Sequence, residues 1–230
     1  MSKPNYETFV FGSFDSANQS VVMADEWLDV SPGIEYEAIN IEGRNGAIYT
    51  ALNYQDVVRN VECFLMDSSN VDAVRAGMKG SGDLIFKNRI RKAHIFDQFE
   101  FEKYGHNALR FIVPFIMEPF WHSNDSYVTY SSGSNIPNEG NRDSYPLIQV
   151  VMPASSTGTV KIGDYQFTLK NTDSAAKTIE IDCKEKSETY PACMTLSGFE
   201  YPALKPGNNK LTVTGAAFTV SVKRRSCWIG

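Results

Sequence analysis

The stretch Pro206-Gly-Asn-Asn-Lys-Leu-Thr-Val-Thr-Gly-Ala-Ala-Phe-Thr219 decides the fold class. Pro206-Gly207-Asn208-Asn209 is a turn signal, because proline fixes its own φ while glycine and asparagine tolerate the left-handed region. It feeds Lys210-Leu211-Thr212-Val213-Thr214, where polar and apolar side chains alternate with the period of a pleated strand. Gly215 interrupts the pattern, and Ala217-Phe218-Thr219-Val220-Ser221-Val222 resumes it. The segment is built to form sheet and holds no side chain suited to catalysis.

The flanking sequence repeats the theme. Upstream lie Leu147 to Met152, Gly158 to Ile162, Tyr165 to Leu169 and Thr178 to Cys183, and the chain closes on Cys227-Trp228-Ile229. Gly163-Asp164 is a two-residue hairpin turn. Short strands at this spacing predict a β-sandwich over residues 146–230, whose last strand has the option of returning to the first domain. Residues 126–145 are polar and turn-rich, and read as a linker enclosing a short strand at Tyr127–Tyr130.

Residues 1–125 form the first domain on this reading. Residues 6–11 read as a strand ended by Gly12-Ser13, and residues 34–41 alternate apolar with polar. Gly43-Arg44-Asn45-Gly46 is the structural turn of this half, since Asn-Gly is the strongest short hairpin signal. Tyr54 to Leu65 follows as a strand, with Val57, Val61, Cys63 and Leu65 on one parity. The single good helix covers residues 70–79. Ser69 caps it, Asp72 completes a capping box, Val71, Val74 and Met78 share a face, and Gly80 stops it. Three more strands, Leu84–Phe86, Ala93–Phe101 and Leu109–Met117, complete the domain, with Pro114 and Pro119 marking edges or bulges. The fold class is therefore mainly β, all-β apart from one short helix.

Bulk properties narrow the function. The 230 residues carry a net charge of −5 and 42% hydrophobic residues, which fits a globular protein and lacks the basic footprint of nucleic-acid binding. Lys87-Asn88-Arg89-Ile90-Arg91-Lys92 is the one basic cluster, and its alternation reads as the solvated face of a strand. The polar start Met1-Ser2-Lys3-Pro4-Asn5 lacks a signal-peptide core, and no apolar run reaches the length of a membrane span, so cytoplasmic synthesis without membrane insertion is expected. Cys63, Cys183, Cys193 and Cys227 form no Cys-x-x-Cys pair and read as reduced, mostly buried thiols.

No catalytic, metal or cofactor site emerges. His94, His106 and His122 share no ligand spacing, and Gly-x-Ser-x-Gly is absent. Gly80-Ser81-Gly82 follows its helix instead of preceding one, so it cradles no phosphate. Asp25-Glu26, Glu100-Glu102 and Glu185-Glu188 are carboxylate pairs without a recognisable setting. The expectation is a non-enzyme without cofactors. Tyr190, Phe199, Tyr201 and Trp228 are candidates for a sugar or partner contact on the sandwich, against the plainer reading of core and edge aromatics.

The order of features resembles the distal tail proteins (Dit) of long non-contractile-tailed bacteriophages (siphoviruses). The resemblance rests on the Gly43-Arg44-Asn45-Gly46 turn, the Tyr54-Gln55-Asp56 strand start and the short helix ended by Gly80-Ser81-Gly82. Glu118-Pro119-Phe120, the polar stretch and the strand-rich half with Pro206-Gly207-Asn208 complete it. Many members have Asp after the turn arginine, where this chain has Asn45. The resemblance implies an N-terminal ring-forming domain, a C-terminal galectin-like or carbohydrate-binding-module-like (CBM-like) sandwich, and a homohexamer at the virion's tail tip or baseplate. Its implied partners are the tail tube protein, the tail-associated lysin or fibre protein, and receptor-binding proteins, with DNA passing unread through a central channel. The alternative is a lectin-like carbohydrate-binding module for host-surface recognition.

Overall fold

The computed structural model describes residues 7–24, 27, 29–198 and 200–229. The expectations placed on Met1–Asn5, Tyr6, Asp25-Glu26 and Phe199 lie outside them. The chain divides into two compact units: the first runs to Trp121 and takes in Ile229, and the second runs from His122 to Trp228.

Unit 1 is organised by one curled antiparallel sheet. Its strand order is Phe14–Asp15, Val10–Phe11, Gly80–Phe86, Arg89–Ile95, Leu109–Met117, Val57–Leu65 and Val21–Met23. Val10–Phe11 pairs with Gly80–Phe86 at one edge, while Glu7 bridges Met23 at the other, so one segment draws the two edges together. Burial follows the period of two. Val57, Val61, Cys63 and Leu65 point inward, as do Phe111, Val113, Phe115 and Met117 on the strand beside them. Phe115 is the hub of the core, with Phe9, Phe11 and Trp27 meeting it edge-on at ring separations of 5.8, 5.9 and 6.2 Å. Edge-to-face contact sets the positive rim of one ring against the negative face of the next.

Several local expectations are revised. The helix is shorter, Val71–Gly77, and a 3-10 turn at Ser68–Asn70 precedes it. Ser69 does not cap it. Asp67 accepts from the Ser69 backbone N–H and caps the 3-10 turn instead. The helix is seated by Val74 and Met78, both fully buried, and by the close approach of Gly77 to the Phe14 ring, where a Cβ would come within 2.5 Å. Gly80, at φ +79, opens the next strand and does not stop the helix itself. Tyr54 ends one strand and Val57 begins another, so Tyr54–Leu65 is not continuous. The strand expected to run to Phe101 ends at Ile95, and Phe96 is exposed.

The basic cluster also differs from its reading as a solvated face. Lys87 and Asn88 form a two-residue hairpin turn, both at positive φ, between Phe86 and its partner Arg89. Arg91 is buried: it donates to the Glu118 carbonyl from Nε and Nη2 and lies 4.7 Å from the Trp121 ring centroid. Period alone cannot tell an exposed cation from one whose guanidinium is satisfied by a carbonyl and an aromatic face.

Unit 2 is a sandwich of two five-stranded antiparallel sheets. One runs Val128–Tyr130, Thr219–Lys223, Leu147–Met152, Lys177–Asp182, Ser187–Glu188. The other runs Asn135–Asn138, Gly207–Gly215, Ser156–Ile162, Tyr165–Asn171, Met194–Leu196. Ile148, Val150, Ile179, Ile181, Val220 and Val222 from the first sheet meet Val160, Ile162, Phe167, Leu169 and Leu211 from the second in an apolar core. The two strands of the opening stretch do not pair with each other, because they belong to opposite sheets. Gly215, at φ +86, turns the chain across the sandwich, and Phe218 seats against Gly158. The strand starts earlier than expected, at Gly207. Asn209 is buried within it, accepting from the Lys205 N–H at 3.0 Å and donating to the Lys205 carbonyl at 2.8 Å. Residues 126–145 carry two paired strands of this unit where a linker was expected. Gly163-Asp164 joins Ile162 to Tyr165 as a two-residue turn, with Gly163 at φ +57.

Candidate functional site

One element of unit 1 is not explained by its own core. Among the described residues Ile34–Asn40 and Ala47–Tyr54 pair only with each other, as a two-stranded hairpin separate from the main sheet. The register places Tyr36, Ala38, Ala47, Tyr49 and Ala51 on one face, and Glu37, Ile39, Ile48, Thr50 and Leu52 on the other. All of Ile34–Asn40 is exposed, and so is the opposite strand from Ile48 to Asn53. Tyr36 and Tyr49 meet edge-on at 5.5 Å, and their rings still stand 61% and 67% open. At its base the hairpin is tied down by the Gln55 N–H donating to the Gly33 carbonyl at 2.8 Å and by Tyr54 against Phe120 at 5.0 Å. A lone two-stranded hairpin is marginal in water, and apolar residues on both of its faces are the mark of a contact surface.

Gly43, Arg44, Asn45 and Gly46 lie at the tip of this hairpin. They form a six-residue connection from Ile41 to Gly46 and not a two-residue Asn-Gly turn. Gly43 and Gly46 hold the positive φ values, +80 and +83, and Asn45 does not. The Arg44 N–H donates to the Ile41 carbonyl at 3.1 Å, and the Arg44 side chain is exposed.

Each aromatic candidate of unit 2 has its own local setting. Tyr190 begins a 3-10 turn and stacks under the Lys177 ammonium at 4.6 Å. Tyr201 donates its hydroxyl to Glu188; that hydrogen bond, then burial, raises the phenol to about 12. Trp228 lies on the Cys227–Ile229 strand, half-buried. Tyr190 and Tyr201 each have a charged neighbour, Lys177 and Glu188 respectively.

His94 Nδ1 shares a 2.8 Å hydrogen bond with the Ser81 hydroxyl, and His106 sits in an exposed turn. Burial pushes the Cys63 and Cys183 thiols far above their usual range and Cys227 to about 11, so none of the three is a thiolate at neutral pH. Among the described residues no group of three or more His, Cys, Asp or Glu is placed to hold a metal ion. No helix among them is long and apolar enough to cross a membrane.

Comparison with known proteins gives no match to a family model and none to a curated protein sequence. Solved structures do match. The Dit protein of phage SPP1, described as a paradigm of the hub adsorption apparatus in phages infecting Gram-positive bacteria, superposes with a TM-score of 0.60 at 12% identity. The match covers 94% of this chain and 98% of that one. This chain has the fold of a phage hub protein. A chain of the phage P2 baseplate, solved in its activated conformation with calcium, gives a TM-score of 0.50 at 10% identity over 95% and 98% of the two chains. The shared fold runs through both units, so neither half is an appendage peculiar to this chain.

Proposed function

We propose that this protein is the structural hub of a phage tail tip and baseplate, located in the virion. Copies close into a ring, a homohexamer, through unit 1, and unit 2 faces outward to carry the host-adhesion apparatus. The ring joins the tail tube protein to a tail-associated lysin or fibre protein and leaves a central channel through which DNA passes without being read. The role is architectural and not enzymatic.

The observation that carries this reading is the hairpin of residues 34–54, which presents Tyr36 and Tyr49 on one face and Ile39, Ile48 and Leu52 on the other, all exposed among the described residues. Ring closure requires a heterologous contact, in which one surface meets a different surface on the next copy. An arm that projects apolar side chains from both faces supplies one half of such a contact. The full-length fold shared with a phage hub protein supports the same reading.

The test is the solution mass of the purified protein by light scattering across a concentration series. A species near six times 25.7 kDa is expected. A strict monomer at every concentration, alone and with tail tube protein present, would overturn it.

A further inference from the structure

The two sheets of unit 2 differ in charge in a way that the ring does not use. The sheet Asn135–Asn138, Gly207–Gly215, Ser156–Ile162, Tyr165–Asn171, Met194–Leu196 contains no aspartate or glutamate in any of its strands. It carries Lys161, Lys170 and Lys210, all exposed. The opposite sheet carries Glu180, Asp182 and Glu188. In a chain with 27 acidic and 22 basic residues, a whole sheet without a carboxylate is a marked local excess of positive charge.

The register turns this composition into a surface. Thr214, Thr159, Thr168 and Thr195 are paired in sequence across four strands, giving an unbroken row of hydroxyls on the outer face. The next row is Thr212, Lys161 and Gln166, and on the other side Thr157 stands beside Lys170. Lys210 lies opposite Asn135, one row beyond Lys161. Thr159 and Thr168 hydroxyls touch at 3.3 Å. Among the described residues no ion pair engages Lys161, Lys170 or Lys210. Neighbouring rows are about 6.8 Å apart along the strands and neighbouring strands about 4.8 Å apart. The face is thus a grid of donors and acceptors at sugar-ring spacing, with Lys161, Lys170 and Lys210 in the rows around its centre and the Asp164 charge near Lys161 in the turn at one end.

We infer that this face binds an acidic polysaccharide, with the threonine row hydrogen-bonding sugar hydroxyls and Lys161, Lys170 and Lys210 meeting the carboxylates. Charge complementarity selects an anionic occupant, and the hydroxyl row selects a polyol over a bare polyanion. Among the described residues the face holds no aromatic platform, so affinity comes from charge and falls steeply with salt. The site is made of other residues than the aromatic trio Tyr190, Tyr201 and Trp228. It rests on the reading of unit 2 as the outward, adhesive half.

The experiment measures binding of the full-length protein to polygalacturonate, neutral dextran and inorganic polyphosphate at low and high salt. Binding to polygalacturonate is expected, lost at high salt, with none to dextran and weaker binding to polyphosphate. The exposed triple variant Lys161→Gln, Lys170→Gln, Lys210→Gln is expected to lose at least tenfold in affinity with an unchanged melting temperature. Thr159→Val with Thr168→Val is expected to weaken polygalacturonate binding while leaving polyphosphate binding as it was. Absence of polygalacturonate binding, a lysine variant that binds like the wild type, or equal binding of polyphosphate would each overturn the inference. Light scattering on the same samples reports the ring separately, so failure of the glycan site is distinguishable from failure of the hub assignment.

Discussion

Replacing Ile39 and Ile48 together by threonine should dismantle the ring without unfolding the subunit. The two side chains face each other across the hairpin and remain 47% and 38% exposed in the single chain. Full burial of an isoleucine is worth about 1.5–3 kcal/mol. Covering the half that is still open therefore contributes roughly 1 kcal/mol each, or about 2 kcal/mol per contact between copies. That is about a 30-fold weakening of each contact, at 1.4 kcal/mol per tenfold. Threonine keeps the β-branch, so the hairpin retains its strand preference and only the apolar surface is lost. Light scattering at matched concentrations should show the ring replaced by smaller species, and the thermal midpoint of the isolated subunit should hold within a degree or two. A double variant that retains wild-type mass and concentration dependence would refute the placement of the hairpin in the contact. A large fall in the midpoint of monomeric protein would refute the claim that these residues are surplus to the fold.

Three further outcomes are expected. Gly158→Ala should destabilise unit 2 by about 1–3 kcal/mol, because its Cβ would sit 2.7 Å from Cε2 of Phe218 and 2.8 Å from the Thr214 carbonyl oxygen; urea unfolding followed by tryptophan and tyrosine signals reads this, and an unchanged midpoint would show that Phe218 has room to move. Burial raises the Asp182 carboxyl, but the hydrogen bond from Arg225, the backbone N–H groups of Glu185 and Lys184 and the Arg225 charge outweigh it and hold the group below its ordinary 3.8. A depressed carboxylate contributes stability above its unfolded pKa and loses it as pH falls through the folded value, so melting temperature should fall below about pH 4, and Asp182→Asn should flatten that slope; parallel slopes for variant and wild type would refute it. A thiol reagent at neutral pH should label Cys193 first, with Cys63, Cys183 and Cys227 reacting only on unfolding, and mass spectrometry showing rapid native labelling of any buried thiol would contradict their burial.

Much of the molecule is written in local pattern. The alternation of Lys210–Thr214, the inward parity of Val57, Val61, Cys63 and Leu65, and the Gly163-Asp164 turn are fixed by side-chain period and by backbone freedom at single residues, so they are readable from the chain alone. The mainly β class follows from them. Where each strand goes is not local. Residues 207–215 and 219–223 are neighbours in sequence but lie in opposite sheets, where their apolar faces are buried against each other. The same holds for Arg91, whose alternation places it on a strand while only the carbonyl of Glu118 and the ring of Trp121 decide that it faces inward.

The candidate site shows the division most clearly. The sequence by itself determined that residues 34–41 alternate like a strand and that a glycine-rich turn follows at 43–46, since alternation and the freedom of glycine at positive φ are properties of the chain, while the returning strand Ala47–Tyr54 is seen only in the fold. Only the tertiary structure decided that the hairpin stands apart from the main sheet, leaving Tyr36, Tyr49, Ile39, Ile48 and Leu52 exposed. The acid-free sheet divides the same way: its composition is legible in the strands, but the row Thr214–Thr159–Thr168–Thr195 exists only once pairing brings four distant segments into register. An apolar or charged residue becomes a surface only when the rest of the chain has chosen which faces to bury, and that choice is a sum over contacts between residues far apart in sequence.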